Sequence, residues 1–382
     1  MAGSGLATRL YRGEAGINII GRRKLWFTVA AALTLIAILS FGLRGFSFGI
    51  EFSGGNKFSV PASVGTLVQA EDQVAATLEG NAADGHVVSA QQAGNADGQR
   101  YEFRTTELTP QEAESVKAQL ATAFGIDVSS INESRVSGSW GDQVSNRALL
   151  GLLVFVALVT LYLIIRLEWR MAAAAVSSLL LNLLLTAGVY SLVGWEVTPS
   201  TVIGFLTILG FALYDVVVVF DKVQENTAGI TGRNNQTYGE AANLAVNQTL
   251  MRSINTSVVA LLPVGGLLFI GPLLGADTLK DLGLVLFVGM ALAVYSSLFF
   301  ATPLLVTLKD REPRIATHNK RVLARRSAIE RGEIQVPKVG AGVGSDPALA
   351  TAAPRPGARP VAKRQAAKGR PGGNRPSGAK NR

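Results

Sequence analysis

The sequence has 382 residues, 48% hydrophobic and only 16% charged, where an ordinary soluble domain carries about a quarter. Its net charge of +9 is gathered at one end: residues 309–382 hold 18 Lys and Arg against 5 Asp and Glu, which leaves residues 1–308 at −4 and argues against a basic nucleic-acid-binding protein. With no cysteine and two histidines, His86 and His318, the chain has no disulfide scaffold, no cysteine-based zinc or iron–sulfur site, no thiol catalysis and no histidine-rich metal centre.

Residues 1–24 form a short N-terminus that ends on Arg22, Arg23 and Lys24. The first uninterrupted apolar run, Leu25 to Leu43, has 19 residues. That exceeds the ~7–15 of a signal-peptide core and no A-x-A cleavage site follows, so the run is expected to stay as a membrane anchor. Residues 44–147 follow, with 7 basic and 13 acidic side chains, enough chain for one small domain. Their pattern predicts strand Lys57 to Val60, helix Thr66 to Leu78, strands His86 to Ala93 and Arg100 to Thr106, helix Pro110 to Phe124 and strand Val128 to Val136. Thr109, Pro110 and Glu112 have the spacing of an N-cap, a first-turn proline and a capping box. Gly94 to Gly98 supplies the turn between the middle strands. A β-α-β-β-α-β order predicts a ferredoxin-like α+β sandwich. His86 reads as a strand or surface residue: no Ser-His-Asp or Cys-His arrangement accompanies it, and no phosphate loop of the GxxxxGK[ST] kind occurs. The chain is therefore not expected to be an enzyme or to hold a cofactor or metal.

Residues 148–308 carry the other five apolar runs: Ala148 to Ile165, Met171 to Val193, Thr198 to Phe220, Thr256 to Leu274 and Leu282 to Leu308. All six runs have 18 to 27 residues, and at about 1.5 Å per residue each crosses a hydrocarbon core roughly 30 Å thick. The expected fold is thus an α-helical polytopic membrane protein with six transmembrane helices and one small external α+β domain. With the N-terminus inside, 28 Lys and Arg fall on the cytoplasmic side and 8 outside. Arg22, Arg23, Lys24, Arg166 and Arg170 support that orientation without the tail. Both termini are expected in the cytoplasm.

Asp215 is the one charged residue inside the runs as drawn. A carboxylate at that depth costs roughly 2.5–3.5 kcal/mol on insertion scales, so it is expected to face the bundle interior and to function there. Phe211, Ala212, Ile208, Gly204 and Thr201 share its helical face. Arg252, at the inner mouth of the fifth run, leads a polar stripe through Asn255 and Thr256 and is a candidate partner for Asp215, although a topology anchor explains it equally well. Asn182, Thr186 and Tyr295 read as helix-packing polar groups.

Three stretches resemble the SecF branch of the SecD/SecF family. Phe48-Gly-Ile-Glu-Phe-Ser-Gly-Gly55 is similar to its GIDFTGG element, Leu213 to Asn226 to its SxNDTVVVFDRIREN signature, and Asn247 to Ser257 to its NQTLxRTxxTS element. The resemblance implies a six-span half of the RND superfamily fold in the bacterial cell membrane, paired with a SecD half beside the SecY-E-G channel. It implies use of the proton motive force to complete export of unfolded preproteins. Asp215 then stands at the family's proton-responsive acid and Arg252 at its associated arginine, with Gly54, Gly55, Tyr214, Asp221, Asn255 and Thr256 as motif-supporting residues. The chain departs from the signature at Tyr214 for Asn, Val216 for Thr, Lys222 for Arg and Val223-Gln224 for Ile-Arg. The competing reading is an RND-type exporter of small molecules or lipids, which the single small external domain and the fourth-run signature oppose.

The last 74 residues read as a basic cytoplasmic tail. Residues 314–333 are expected to form a basic helix lying on headgroups through Val322, Ile329 and the Arg325-Arg326 pair. Residues 337–382 hold 7 of the 14 prolines and almost no large apolar side chain, a composition that cannot build a core and is expected to be disordered. Anionic lipid is the expected partner of this tail rather than a specific nucleic acid.

Overall fold

The computed structural model describes residues 16–82, 84–93, 99–270 and 277–332. In chain order the elements are α1 (Arg23–Leu43), β1 (Ser47–Phe48), α2 (Ile50–Ser53), β2 (Gly55–Pro61), α3 (Leu67–Asn81), β3 (Val87–Ala93), β4 (Arg100–Thr105), α4 (Pro110–Phe124), β5 (Asn132–Val136), α5 (Gly138–Arg166), α6 (Trp169–Val193), β6 (Glu196–Val197), α7 (Pro199–Thr227), α8 (Tyr238–Phe269), α9 (Asp277–Tyr295), α10 (Thr302–Asp310) and α11 (Pro313–Glu330). Between α9 and α10 the helix continues as a π-helical turn, Ser296–Ala301. The chain divides into two units, residues 1–328 and 329–382. The first holds every element named, save the last two residues of α11. The expected Gly94–Gly98 turn and the 337–382 tail lie outside the described residues.

The sheet order β3-β4-β2-β5, antiparallel throughout, with one helix in each β-α-β crossing, is the ferredoxin-like arrangement expected from the sequence. Phe58, Val60 and Phe103 of the sheet are wholly buried against Val74, Leu78, Val116 and Leu120 of α3 and α4. Both helices start where their chemistry directs. Thr66 and Gln69 close a capping box on α3; on α4 the Glu112 amide donates to Thr109 Oγ1 at 3.3 Å and the Thr109 amide to Glu112 Oε2 at 2.8 Å. One strand begins later than expected. Asp127 Oδ1 accepts the Ser129 amide at 2.8 Å and turns residues 128–130 into a 3₁₀ turn, so β5 starts at Asn132.

Six helices are long and apolar enough to cross a membrane. Two of them overrun their apolar segments. α5 begins at Gly138, so residues 138–147, expected in the external domain, are the first turns of a spanning helix, and α8 begins at Tyr238, 18 residues before the run that marks it. Hydropathy marks the length of a helix that meets lipid, whereas the helix itself runs on to its cap, here the Thr237–Glu240 capping box. α6, α7 and α8 meet through small residues, including Ala172, Ala174, Ala175, Ala212, Ala241, Ala242 and Ala245, which lets helix backbones approach where water exclusion supplies no drive. α5 lies at the margin, with only Gly141 and Leu163 buried.

One end of the bundle gathers the polar groups assigned to the cytoplasm: Arg23 pairs with Asp310 at 2.7 Å, Arg166 with Asp221 at 3.7 Å, and Arg170 with Glu312. α11 packs across this end rather than lying free. Val322 is fully buried with Ile315 and His318, His318 Nε2 is 3.0 Å from the Gln236 carbonyl, and Arg326 binds Glu240 at 2.6 and 2.8 Å. The expected basic helix forms, and Val322, one of the residues expected to meet headgroups, is buried inside the protein instead. Ile329 lies in the second unit.

At the opposite end, β1 and β6 pair in parallel, Ser47 with Glu196 and Phe48 with Val197. The Gly54-Gly55 step joins the sheet to the bundle. Both glycines have positive φ, 72° and 118°, and a Cβ would sit 2.7 Å from the Gly138 Cα and 2.4 Å from the Thr105 carbonyl oxygen, respectively. This pair is a close backbone junction between α2, β2 and α5.

Candidate functional site

Asp215 is 4% exposed, sixteen residues into α7. Most of the face expected for it is buried as well, with Thr201, Gly204, Ile208 and Ala212 inside and Phe211 half-buried. Its carboxylate is held by two hydroxyls from two other elements: Ser253 Oγ of α8 donates to Oδ1 at 2.6 Å, and Ser297 Oγ of the π-helical turn donates to Oδ2. No cation pairs with it among the described residues. Val216, Val219 and Phe220, its neighbours along α7, are all wholly buried.

The π turn is what delivers Ser297. A turn widened to i+5 shifts the register of the helix by one residue, and such turns recur at functional sites. Here it sets Ser296 and Ser297 side by side at the helix junction. Ser297 takes Asp215, while the Ser296 carbonyl accepts the Ser178 hydroxyl of α6 at 2.9 Å. One turn further along α6, Asn182 is wholly buried with neither amide atom hydrogen-bonded. The polar cluster therefore extends from Asp215 across the π turn to α6.

Arg252 makes no ion pair with Asp215. It is exposed, and its Nη2 donates to the exposed Tyr214 hydroxyl at 3.2 Å. Asn255 shares that outward face and Thr256 is half-buried. The buried face of α8 is the adjoining one, through Val246, Leu250, Ser253 and Ser257. Reading the stripe from its charge placed the face about 100° from where the packing puts it. Ser253 and Ser257, four residues apart and in phase with Val246 and Leu250, were the signal available. For Ser297 the sequence held none, because a π turn has no helical period to reveal it. Asn247, in the same motif, has a structural role. With Asn243 it clamps the segment before α1, accepting the Ile17 amide at 3.0 Å and donating to the Ile17 carbonyl at 2.9 Å. The Asp221–Arg166 pair is about half exposed on both sides and contributes at most about 1 kcal/mol.

A serine hydroxyl that holds a carboxylate can turn its proton to a backbone carbonyl instead. Ser297 Oγ already lies 3.2 Å from the Val294 carbonyl oxygen. Hydrogen bonds to a charged group contribute about 1.5–3 kcal/mol each. In isotope-edited infrared spectra, the Asp215 carboxyl band is expected to shift in Ser253→Ala and in Ser297→Ala, and to shift furthest in the double variant.

Residues 115–311 match the family described as protein export membrane protein SecD/SecF, C-terminal. The protein translocase subunit SecF of Mycobacterium tuberculosis (strain CDC 1551) is 45% identical over 329 residues, covering 84% of this chain and 73% of that one. The Streptomyces coelicolor subunit SecF is likewise 45% identical over 323 residues, 84% of each chain. The crystal structure of SecDF from Thermus thermophilus, a translocon-associated membrane protein, superposes with a TM-score of 0.66 at 26% identity and covers 77% of this chain. This chain spans 39% of the SecDF chain.

Proposed function

The chain belongs to the SecD/SecF family of protein export membrane proteins, and from that premise we propose that Asp215 is the group through which it draws on the proton motive force. It is a multi-pass membrane protein and acts as a subunit of the protein translocase. The observation that carries the proposal is the carboxylate itself: one buried acid, held by two reversible hydroxyl donors and no fixed cation, at the joint of α7, α8 and the π turn. In this reading protonation of Asp215 alters how α7 sits against the π turn, and the sheet domain at the outer end of α7 reorients and acts on an unfolded preprotein leaving the SecY-E-G channel. Moving one charge through 100 mV is worth about 2.3 kcal/mol, sufficient to bias two states of such a bundle.

The SecD-type half covers the face that Tyr214, Arg252 and Asn255 present. An arginine and an amide exposed at the inner mouth of the bundle are better matched by a polar partner than by lipid. A cysteine at Asn255 in this cysteine-free chain is expected to cross-link to the SecD-type chain in native membranes, whereas one at Leu153 on the bare face of α5 is expected not to.

A direct test of the function combines loss of the chain with loss of the gradient. In cells, a protonophore should slow late release of preproteins, and removing this chain should slow it equally. The two together should be no worse than either, because both act at one step. Additive slowing would place the proton-dependent step elsewhere.

A further inference from the structure

Arg104, on β4 of the sheet domain, is 4% exposed, an unusual depth for a guanidinium. Its Nη1 lies 3.3 Å from Glu196 Oε1 and its Nη2 donates to Ser53 Oγ at 3.2 Å. Glu196 opens β6, the two-residue strand that pairs with β1 and leads through Thr198 straight into α7. Arg104–Glu196 is the one ion pair, among the described residues, that joins the sheet domain to the link between α6 and α7. We propose that Arg104 and Glu196 are a positioning pair that transmits movement between the helix of Asp215 and the sheet domain, closing in one state of the cycle and opening in the other.

Three features favour a working contact over a static tether. The pair lines a cleft of about 370 Å³, which leaves the two sides room to part. Other charges line that cleft: Lys280 could take the carboxylate and Asp281 the guanidinium, beside Glu51 and a Lys57–Glu102 pair that is itself loose at 3.7 Å. The Arg104 Nε is buried without a partner, so the closed state leaves part of the guanidinium unsatisfied and does not hold it in a deep minimum. Burial pushes the Glu196 carboxyl above its usual range, with Arg104 first and Lys57 after it opposing the shift and Glu102 adding to it. A raised carboxyl takes up its proton at a higher pH than an ordinary glutamate, so a fall in pH at the outer surface uncharges Glu196 and loosens the pair.

The inference rests on the reading of Asp215 as the proton-responsive group, and the experiment separates the two. In the full-length chain with its SecD-type partner, Arg104→Glu and Glu196→Arg are each expected to lower proton-driven export at least about tenfold, and the double reversal to restore it to within about twofold. A second experiment does not depend on tolerance of the reversals: cysteines replacing Gln92 of β3 and Ser200 of α7 line the same cleft and leave its charged groups intact. Bridging them with a short reducible cross-linker is expected to stop proton-driven export, and reductant to restore it. The proposal is overturned if bridged protein exports normally, or if the double reversal, present at normal level, does no better than the worse single. Should Asp215→Asn itself leave proton-driven export intact, the underlying reading fails, whatever the cross-link does.

Discussion

Replacing Asp215 by Asn removes the proton-driven part of export and leaves the chain folded and paired. Asn is nearly isosteric, so the packing around Val216, Val219 and Phe220 is preserved. Its Oδ1 can accept one serine proton as the carboxylate does. What it cannot do is change charge. The free energy that a gradient delivers through one titrating group, about 2.3 kcal/mol per 100 mV, corresponds to a roughly fifty-fold bias between two states, and an amide receives none of it. Preprotein release in membrane vesicles energised by a proton gradient should therefore fall to the rate seen without one. Asp215→Glu should retain part of the rate, since it titrates but pushes against Ser253 and Ser297.

The second large effect comes from the contact that holds α7 against α9. A Cβ on Gly204 would stand 2.1 Å from Val285 Cγ1, and a Cβ on Gly289 would stand 2.1 Å from Ile208 Cδ1. The two helices thus interlock reciprocally: Val285 fills the notch at Gly204, and Ile208, one turn on, fills the notch at Gly289. Val285 is β-branched and stiff, so Gly204→Leu has to separate the helices. Overpacking of this kind costs about 1–3 kcal/mol, and a loss of that order lowers steady-state abundance severalfold. The separation also carries Ser297 away from Asp215, so export per surviving molecule should fall as well. Gly204→Ala is the milder form, and Val285→Ala in the same chain should restore much of what it loses. Immunoblots of membrane fractions, with export normalised to chain level, check both parts.

Much of this architecture could be read directly from residues. Six apolar runs became six spanning helices because length and hydropathy are sufficient to define a helix in lipid. The ferredoxin-like sandwich followed from turn and cap chemistry at Thr109, Pro110 and Glu112. Asp215 stood out because a lone acid in an apolar run is expensive. What surrounds it was less legible. Ser253 was overlooked beside the louder Arg252, since a charge draws attention to the wrong face by one helical position. Ser297 depends on a π turn, which arises from how α9 and α10 meet the rest of the bundle and not from local propensity. Arg104 and Glu196 lie 92 residues apart and in sequence are ordinary strand charges; only the pairing of β1 with β6 and the docking of the sheet bring them together. Tertiary contacts between helices and across domains carry no periodic signal, and the functional arrangement here is made of such contacts.

If Asp215 is the proton-responsive group, its protonation state sets the position of the sheet domain. Because the chain has no native cysteine, two can be introduced for labelling, one on the exposed surface of α4 at Glu114 and one on the outer end of α5 at Asp142. The distance between the labels can then be followed in vesicles as a proton gradient is imposed. The wild-type background should show two distances whose populations change with the gradient, and Asp215→Asn should show one distance that does not respond. A response that persists in Asp215→Asn, or no response in the wild-type background, would contradict the claim.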